Sequence, residues 1–401
     1  MATFVCVTGY FKGEALIYAL KEEGHTVLLI TGEKLREEPW PHDAIDEAFY
    51  MQENPDGTWD DARLLAGVAW LMRERAVDRF VALDDFDVER TAHLREHFRT
   101  PGMGGTTARY FRDKLAMRER AAGAGIPVPP FVPLFNDAAI GAYTERVAPP
   151  WMVKPRSEAS ATGIKKMGSA DELWSVLGNL GDDRHRYLLE QFAPGDVYHV
   201  DALSHDGEVI FCRTSRYLAP PFDVAHGGGV FRTVTTEPDG DDDRALQVLV
   251  RRVLKEFGLR AGASHTEFIK RHDTGEFYFL ETSGRVGGAH IAEMVEVASG
   301  VNLWREWARL ESALVRGEAY QLPEVRHQPT GLIVSLSRFE HPDYGGFPEP
   351  EIRWRMQKKY HVGVIVSADR TERVHELLDD FAGRIRRDYH ASAPPAEKTA
   401  H

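Results

Sequence analysis

The 401-residue chain has little cysteine: Cys6 and Cys212 are its two thiols, each beside apolar residues. Two such thiols cannot staple a small secreted scaffold, and they fit a reducing compartment. Nowhere do 18 apolar residues run together, and the opening MATFVCVTGYF carries no basic stretch. The expectation is a cytoplasmic protein with neither a membrane span nor a signal peptide. Positive charge is the minority, 49 Lys and Arg against 62 Asp and Glu, for a formal net charge of −13. An acidic surface repels nucleic-acid backbones, and no basic cluster offsets it, so nucleic acid is not an expected partner. Three motifs are also missing: the GxGxxG dinucleotide fingerprint, the Walker A loop and the GxSxG nucleophile elbow. What is present, 43% hydrophobic, 28% charged and 10% aromatic residues, is ordinary for a globular chain. Its length suits about two to four domains.

Residues 3–8 (TFVCVT), 25–31 (HTVLLIT) and 79–83 (RFVAL) are near-continuous apolar runs, with helical spacing over 14–23 and 60–75 between them. That alternation predicts an open parallel α/β sheet covered on both faces. Residues 100–107 (TPGMGGTT) read as a linker. A helix over 113–124 follows, with Asp113 as N-cap, and Gly125-Ile126-Pro127 ends it. Short strands are predicted at 151–154, 187–191, 199–204, 209–213, 264–270 and 277–281, and helices at 169–177, 243–257, 291–297 and 303–315. A second boundary falls at 321–328, followed by strands 331–336 and 362–366 and a helix over 372–388. Residues 391–401 read as a frayed tail.

The chemistry concentrates in a few segments. Glu267 lies in SHTEFIK and Glu281 ends the apolar FYFLE, with a loop over 271–275 between them. A hairpin brings both carboxylates to one sheet, where they suit a hard divalent cation such as Mg²⁺. Glu281 leads into TSGRVGG, an arginine in a glycine-rich turn that makes a poor core segment. In WMVKPRSEASATG, Lys154 ends an apolar strand beside a loop of small residues, which places a positive charge next to free backbone N–H groups. In LLEQFAPGDVYHV a strand breaks at Ala193-Pro194-Gly195, which exposes backbone donors and acceptors that an adenine edge can pair with. Residues 222–231 (FDVAHGGGVF) read as a loop over the site. His226 in it, His265 beside Glu267, and Gly288 with His290 are candidates to touch substrate.

In this order and spacing the pieces resemble the ATP-grasp superfamily, in its carboxylate–amine ligase branch. The matched elements are Asp113-Lys114 opening a helix that ends in GIPVP, then Val153-Lys154-Pro155 and its loop, Glu190-Gln191-Phe192 before a Pro-Gly turn, and Glu267 and Glu281 ahead of Arg285. They run from about 113 to 310. The resemblance implies an N-terminal open parallel α/β domain (1–105), a two-lobed ATP-grasp domain with ATP between its lobes (106–320) and a small C-terminal α/β lobe (321–390). It implies that Lys114 and Lys154 hold phosphates, that the loop with Ser160, Thr162 and Gly163 closes over them, and that Glu190, Gln191 and Phe192 form a hinge gripping adenine largely by backbone. His199 falls near the ribose position, with Asp196 as its rival. Glu267 and Glu281 match the metal carboxylates, and Ser283 stands where the family has asparagine. Arg285 resembles the arginine that meets the substrate carboxylate and the transferring phosphoryl group, so Arg285 and Lys154 are the catalytic pair implied. ATP and Mg²⁺, with Mn²⁺ as a substitute, are the implied cofactors, small carboxylates and amines the partners, and a homodimer the assembly. The implied reaction activates a carboxylate as an acylphosphate and joins it to an amine. Carboxylation, thiol ligation, kinase-like transfer or a nucleotide-binding regulatory role are the alternatives.

Overall fold

Strands that are near-continuously apolar must be covered on both faces, and the central strands of the first hundred residues satisfy this. In the computed structural model, which describes residues 1–55, 57–159 and 162–392 (without the side chains of 225–227), they form a parallel sheet in the order Glu47–Met51, Thr26–Gly32, Thr3–Thr8, Arg79–Ala82. Alternate residues serve opposite faces. Phe4 and Cys6 pack with Leu16, Ile17 and Leu20 of helix Glu14–Glu22, while Val5 and Val7 pack with Leu64, Val68 and Leu71 of helix Asp61–Leu71. Complete burial pushes the Cys6 thiol up to about 12, so it is an inert core group.

The 100–107 stretch is not wholly a linker, because helix Gly105–Arg109 starts inside it. Asp113 caps helix Lys114–Gly123, accepting from the N–H groups of Leu115 and Ala116 at 3.0 and 3.5 Å. A small antiparallel sheet follows, ordered Phe131–Pro133, Tyr187–Gln191, Trp151–Pro155, Lys165–Met167. Helices Asp137–Arg146 and Ala170–Leu180 cover it.

The third sheet has eight strands in the order Phe277–Ser283, Gly262–Arg271, Gly195–His205, Glu208–Tyr217, Phe231–Thr235, Thr330–Leu336, His361–Ser367, Ile352–Arg355. Helix Asp241–Phe257 buries Leu246, Val250, Val253 and Phe257 against it, together with Met117 and Ala121 of the helix that carries Lys114. The strands beyond 321 build no sheet of their own; they extend this one through Phe231–Thr235, and helix Thr371–Asp388 packs on them. The expected loop at 222–231 instead holds helix Pro221–Gly227 and the start of strand Phe231–Thr235. The expected tail begins later than 391, since the Ala391 N–H still bonds the Leu336 carbonyl at 3.2 Å; 393–401 lie outside the described residues. Among the described residues no helix is long and apolar enough to cross a membrane.

Candidate active site

Strands Gly262–Arg271 and Phe277–Ser283 pair so that Glu267 stands directly opposite Glu281. Both face a cavity of about 420 Å³ between the small sheet and the eight-stranded one. Such a volume is typical of a small-molecule site. Met117, Met152, Ile164, Val197, Ile269 and Leu280 make part of it apolar, a slot suited to a flat ring. The polar wall carries Lys114, Lys154, Arg118 and Arg285 as well as the two glutamates. Two facing carboxylates are the ligand type that a hard divalent cation takes, and Glu267 and Glu281 would hold it.

Each lysine is seated by a carboxylate. Lys114 Nζ lies 2.7 Å from Glu281 Oε2 and donates to the Glu158 carbonyl at 2.6 Å. Lys154 Nζ pairs with Glu190 Oε1, while Glu190 Oε2 accepts from Arg118 Nε at 3.0 Å and lies 2.9 Å from Arg118 Nη2. Burial works to raise the Glu190 carboxyl, but Arg118 and Lys154 outweigh it and hold it below the ordinary range. Glu267 accepts from the Tyr217 hydroxyl at 2.8 Å, with His265 Nε2 at 3.6 Å. Burial alone would lower His265; the Asp201 and Glu267 carboxylates prevail and push it up to about 9.

Sequence reasoning did not find Asp85, Arg112, Arg118 or Asp201. Asp85 follows strand Arg79–Ala82, so the N-terminal domain sends a carboxylate into the cavity. Its Oδ2 lies 3.6 Å from both Arg285 and Arg112. Burial tends to raise Asp85, and Arg285, Arg112 and the Ser283 hydroxyl hold it down. Asp85 Oδ1 and Arg285 Nε are buried without a hydrogen-bond partner among the described residues, while both residues contribute to the cavity lining. A signal existed for two of the four: Asp85 lies just beyond the C-terminal end of an apolar parallel strand, where α/β ligand sites collect, and Arg118 follows Lys114 by one helical turn.

Other candidates fall differently. Gln191 and Phe192 line the cavity, yet their N–H groups donate to the Pro130 and Pro150 carbonyls, and Glu190 points its carboxylate at Lys154 and Arg118; the hinge therefore does not offer these N–H groups to a base. His199 is corrected outright: it is fully buried, with Nδ1 on Asp201 and Nε2 on Thr233, so it reaches no ribose. Its rival Asp196 also misses the cavity wall and faces Arg216 at 3.7 Å and His272 at 3.3 Å. Gly288 and His265 line the cavity, whereas His290 sits outside it, 3.2 Å from Glu293 and against the Trp354 ring. Ser283 lines the cavity but serves Asp85. Thr162 is on the wall and Gly163 beside it has φ +68°. Ser160 and the side chain of His226 lie outside the described residues.

The cavity thus lies between two antiparallel sheets, with Lys154 on the small one and with Glu267, Glu281 and the Lys114 helix on the side of the other. The solved L-amino acid ligase of Bacillus licheniformis superposes on this chain with a TM-score of 0.74 at 19% identity, covering 97% of this chain and 98% of that one. The biotin carboxylase domain of Hydrogenobacter thermophilus 2-oxoglutarate carboxylase, solved with MgADP and bicarbonate, gives 0.71 at 19% identity, covering 97% and 90%. In sequence the chain is 29% identical over 234 residues to the L-arginine-specific L-amino acid ligase of Bacillus subtilis, 57% of this chain and 56% of that protein. The chain spans about half to two thirds of the length of the curated relatives it matches first, at 56%, 44% and 66%. No protein-family model matches. The solved structures bear out the ATP-grasp fold, and in sequence the chain is similar to amino-acid ligases.

Proposed function

We propose that this protein is an ATP-dependent carboxylate–amine ligase that activates an amino acid or similar small acid as its acylphosphate and joins it to an amine, releasing ADP and phosphate. The observation that carries this reading is Glu267 opposite Glu281 on a cavity that also holds Lys114, Lys154 and Arg285. A carboxylate is a poor electrophile, and taking the γ-phosphoryl of ATP turns its oxygen into a good leaving group. Such transfer requires chiefly positioning and charge neutralisation, so no enzyme nucleophile is needed. Lys114 and Lys154 neutralise phosphate oxygens, and the apolar slot takes the base. A divalent cation, when bound, supplies further charge neutralisation between the two glutamates and the phosphates. Arg285 holds the acid's carboxylate and meets the charge that grows during transfer. Asp85, whose Oδ2 lies 3.6 Å from Arg285, sets a carboxylate beside that guanidinium on the cavity lining, so an amino acid zwitterion matches the pair in charge.

The test is phosphate release with MgATP across amino acids and small carboxylates, singly and in pairs, with Glu281→Ala as the blank. Release that requires both an acid and an amine is the expected outcome. ADP formed without free phosphate, together with a stable phosphorylated product, would point to kinase-like transfer, and phosphate release that requires bicarbonate and an acceptor would point to carboxylation.

A further inference from the structure

Behind the cavity wall runs a chain of buried polar groups that phosphoryl transfer does not call for. Thr233, His199 and Asp201 are fully buried and His265 is 9% exposed. His199 Nε2 meets Thr233 Oγ1 at 2.8 Å, and its Nδ1 meets Asp201 Oδ2 at 2.7 Å. The other Asp201 oxygen takes His265 Nδ1 at 2.8 Å. His265 Nε2 then faces Glu267 Oε1 at 3.6 Å, the same oxygen that accepts from Tyr217. These residues lie on four adjacent strands, from Phe231–Thr235 through Glu208–Tyr217 and Gly195–His205 to Gly262–Arg271. His199, Asp201 and His265 offer ligand atoms within 4.8 Å of one another, but both Asp201 oxygens are already taken by imidazole N–H groups, so the cluster is a hydrogen-bonded chain and not an ion cage.

Apolar residues of similar volume would fill this space without the cost of desolvating a carboxylate and two imidazoles. Two contacts point to what the chain does. One end reaches Glu267. The middle lies against Gly287, where an added Cβ would stand 2.6 Å from Asp201 Oδ1 and 3.1 Å from His265 Nδ1. The turn that presents Arg285 therefore rests on the Asp201–His265 hydrogen bond.

We infer that Asp201 and His265 are positioning residues: Asp201 orients His265, His265 fixes the Glu267 carboxylate, and the pair seats the turn that carries Arg285. The inference rests on the reading of Glu267 as a cation ligand. His265 acts on Glu267 as an ion-pair neighbour at 3.6 Å and through the Tyr217 hydroxyl, which lies 3.5 Å from His265 Nε2 and donates to Glu267. Partners behind metal ligands are typically worth ~10–100-fold in metal affinity.

Mn²⁺ binding to the full chain in the presence of ADP, followed by electron spin resonance, tests this alongside ADP binding in EDTA. Asp201→Asn and His265→Gln are each expected to weaken Mn²⁺ binding by about tenfold or more while ADP affinity in EDTA stays unchanged. Unchanged Mn²⁺ affinity in both variants overturns the inference, and so does an equal loss in both measurements, the mark of a merely structural network. Glu267→Gln separates the two levels. If it keeps full Mn²⁺ affinity, the reading of Glu267 fails; if it loses that affinity while Asp201→Asn does not, the positioning fails. Should neither buried variant fold, Gly287→Ala leaves all the polar groups in place and presses on the Asp201–His265 bond. It must lower Mn²⁺ affinity several-fold, and parental affinity there overturns the proposal.

Discussion

Arg118 shows how much of this site depends on one side chain. It is 1% exposed, holds Glu190 through Nε at 3.0 Å and Nη2 at 2.9 Å, and donates to the Leu280 carbonyl next to Glu281. Removing one member of a buried pair strands the other, at a cost of ~3–5 kcal/mol. Arg118→Met is therefore expected to lose about that much in urea unfolding. A loss of a few tenths would mean that Lys154 alone satisfies Glu190. Arg285 invites the opposite kind of change, because its charge can be kept and its planar fork removed. Arg285→Lys is expected to lower kcat by ~10²–10³-fold while ADP affinity holds, since a lysine offers a point charge where a bidentate donor is needed. Steady-state rates and ADP titration together check this, and a parallel fall in both would move Arg285 from chemistry to nucleotide binding.

Helix Lys114–Gly123 packs on the eight-stranded sheet and reaches the small one at its N-terminus, and its N-cap does two jobs. Asp113 accepts the Leu115 and Ala116 N–H groups and also grips the Arg156 guanidinium from the strand-end loop of the small sheet. Asp113→Ala is expected to cost ~1–2 kcal/mol in denaturant unfolding and to weaken ADP binding, because Lys114 is the first residue of the helix. Asp113→Asn, which retains the capping oxygen, should recover most of the stability; no recovery would assign the effect to the Arg156 pair. This helix was legible from the chain because its signals are local, an N-cap before it and Gly125-Ile126-Pro127 after it. The Glu267–Glu281 pair was legible for the same reason, as a hairpin sets its own register. What local pattern did not reveal was structure made at a distance or at an edge. Strand Glu47–Met51 is half-buried at every residue, and strand Phe231–Thr235 takes its second neighbour from Thr330–Leu336, a hundred residues on. His199 shares the cavity face, opposite Glu267 and on the same side as Val197, but the Tyr217 and His265 rings pack against it, and local pattern does not show that cover. Arg285 with Asp85 and Arg118 with Glu190 are likewise pairs that only the folded chain brings together.

At the scale of the molecule, two sheets enclose the cavity, and the segment after strand Arg79–Ala82 of the parallel sheet brings a cluster of acids beside it, with Asp85 reaching its lining. Asp84 pairs with Lys12, Asp85 lines the cavity, and Asp87 is buried completely behind them. Asp87 accepts from the Gly9 N–H at 2.7 Å and from Arg90 at 2.5 Å. Burial raises its carboxyl, Arg90 pulls it back and Asp84 adds to the rise, which leaves it at about 6. The folded chain thus holds this proton more tightly than the unfolded chain, where an aspartate titrates near 4. The sign follows: Asp87 favours the folded state fully below about pH 4, and that contribution is lost as pH climbs through about 6. A shift of about two pH units corresponds to roughly 3 kcal/mol. Asp87→Asn cannot titrate, so the stability of the parent relative to this variant should fall by about 1–3 kcal/mol between pH 4 and pH 7. Urea unfolding of both proteins at several pH values measures the difference, and the acidic background they share largely cancels in it. A difference that stays flat, or rises with pH, would mean that Arg90 and the Gly9 N–H stabilise the carboxylate more than burial opposes it.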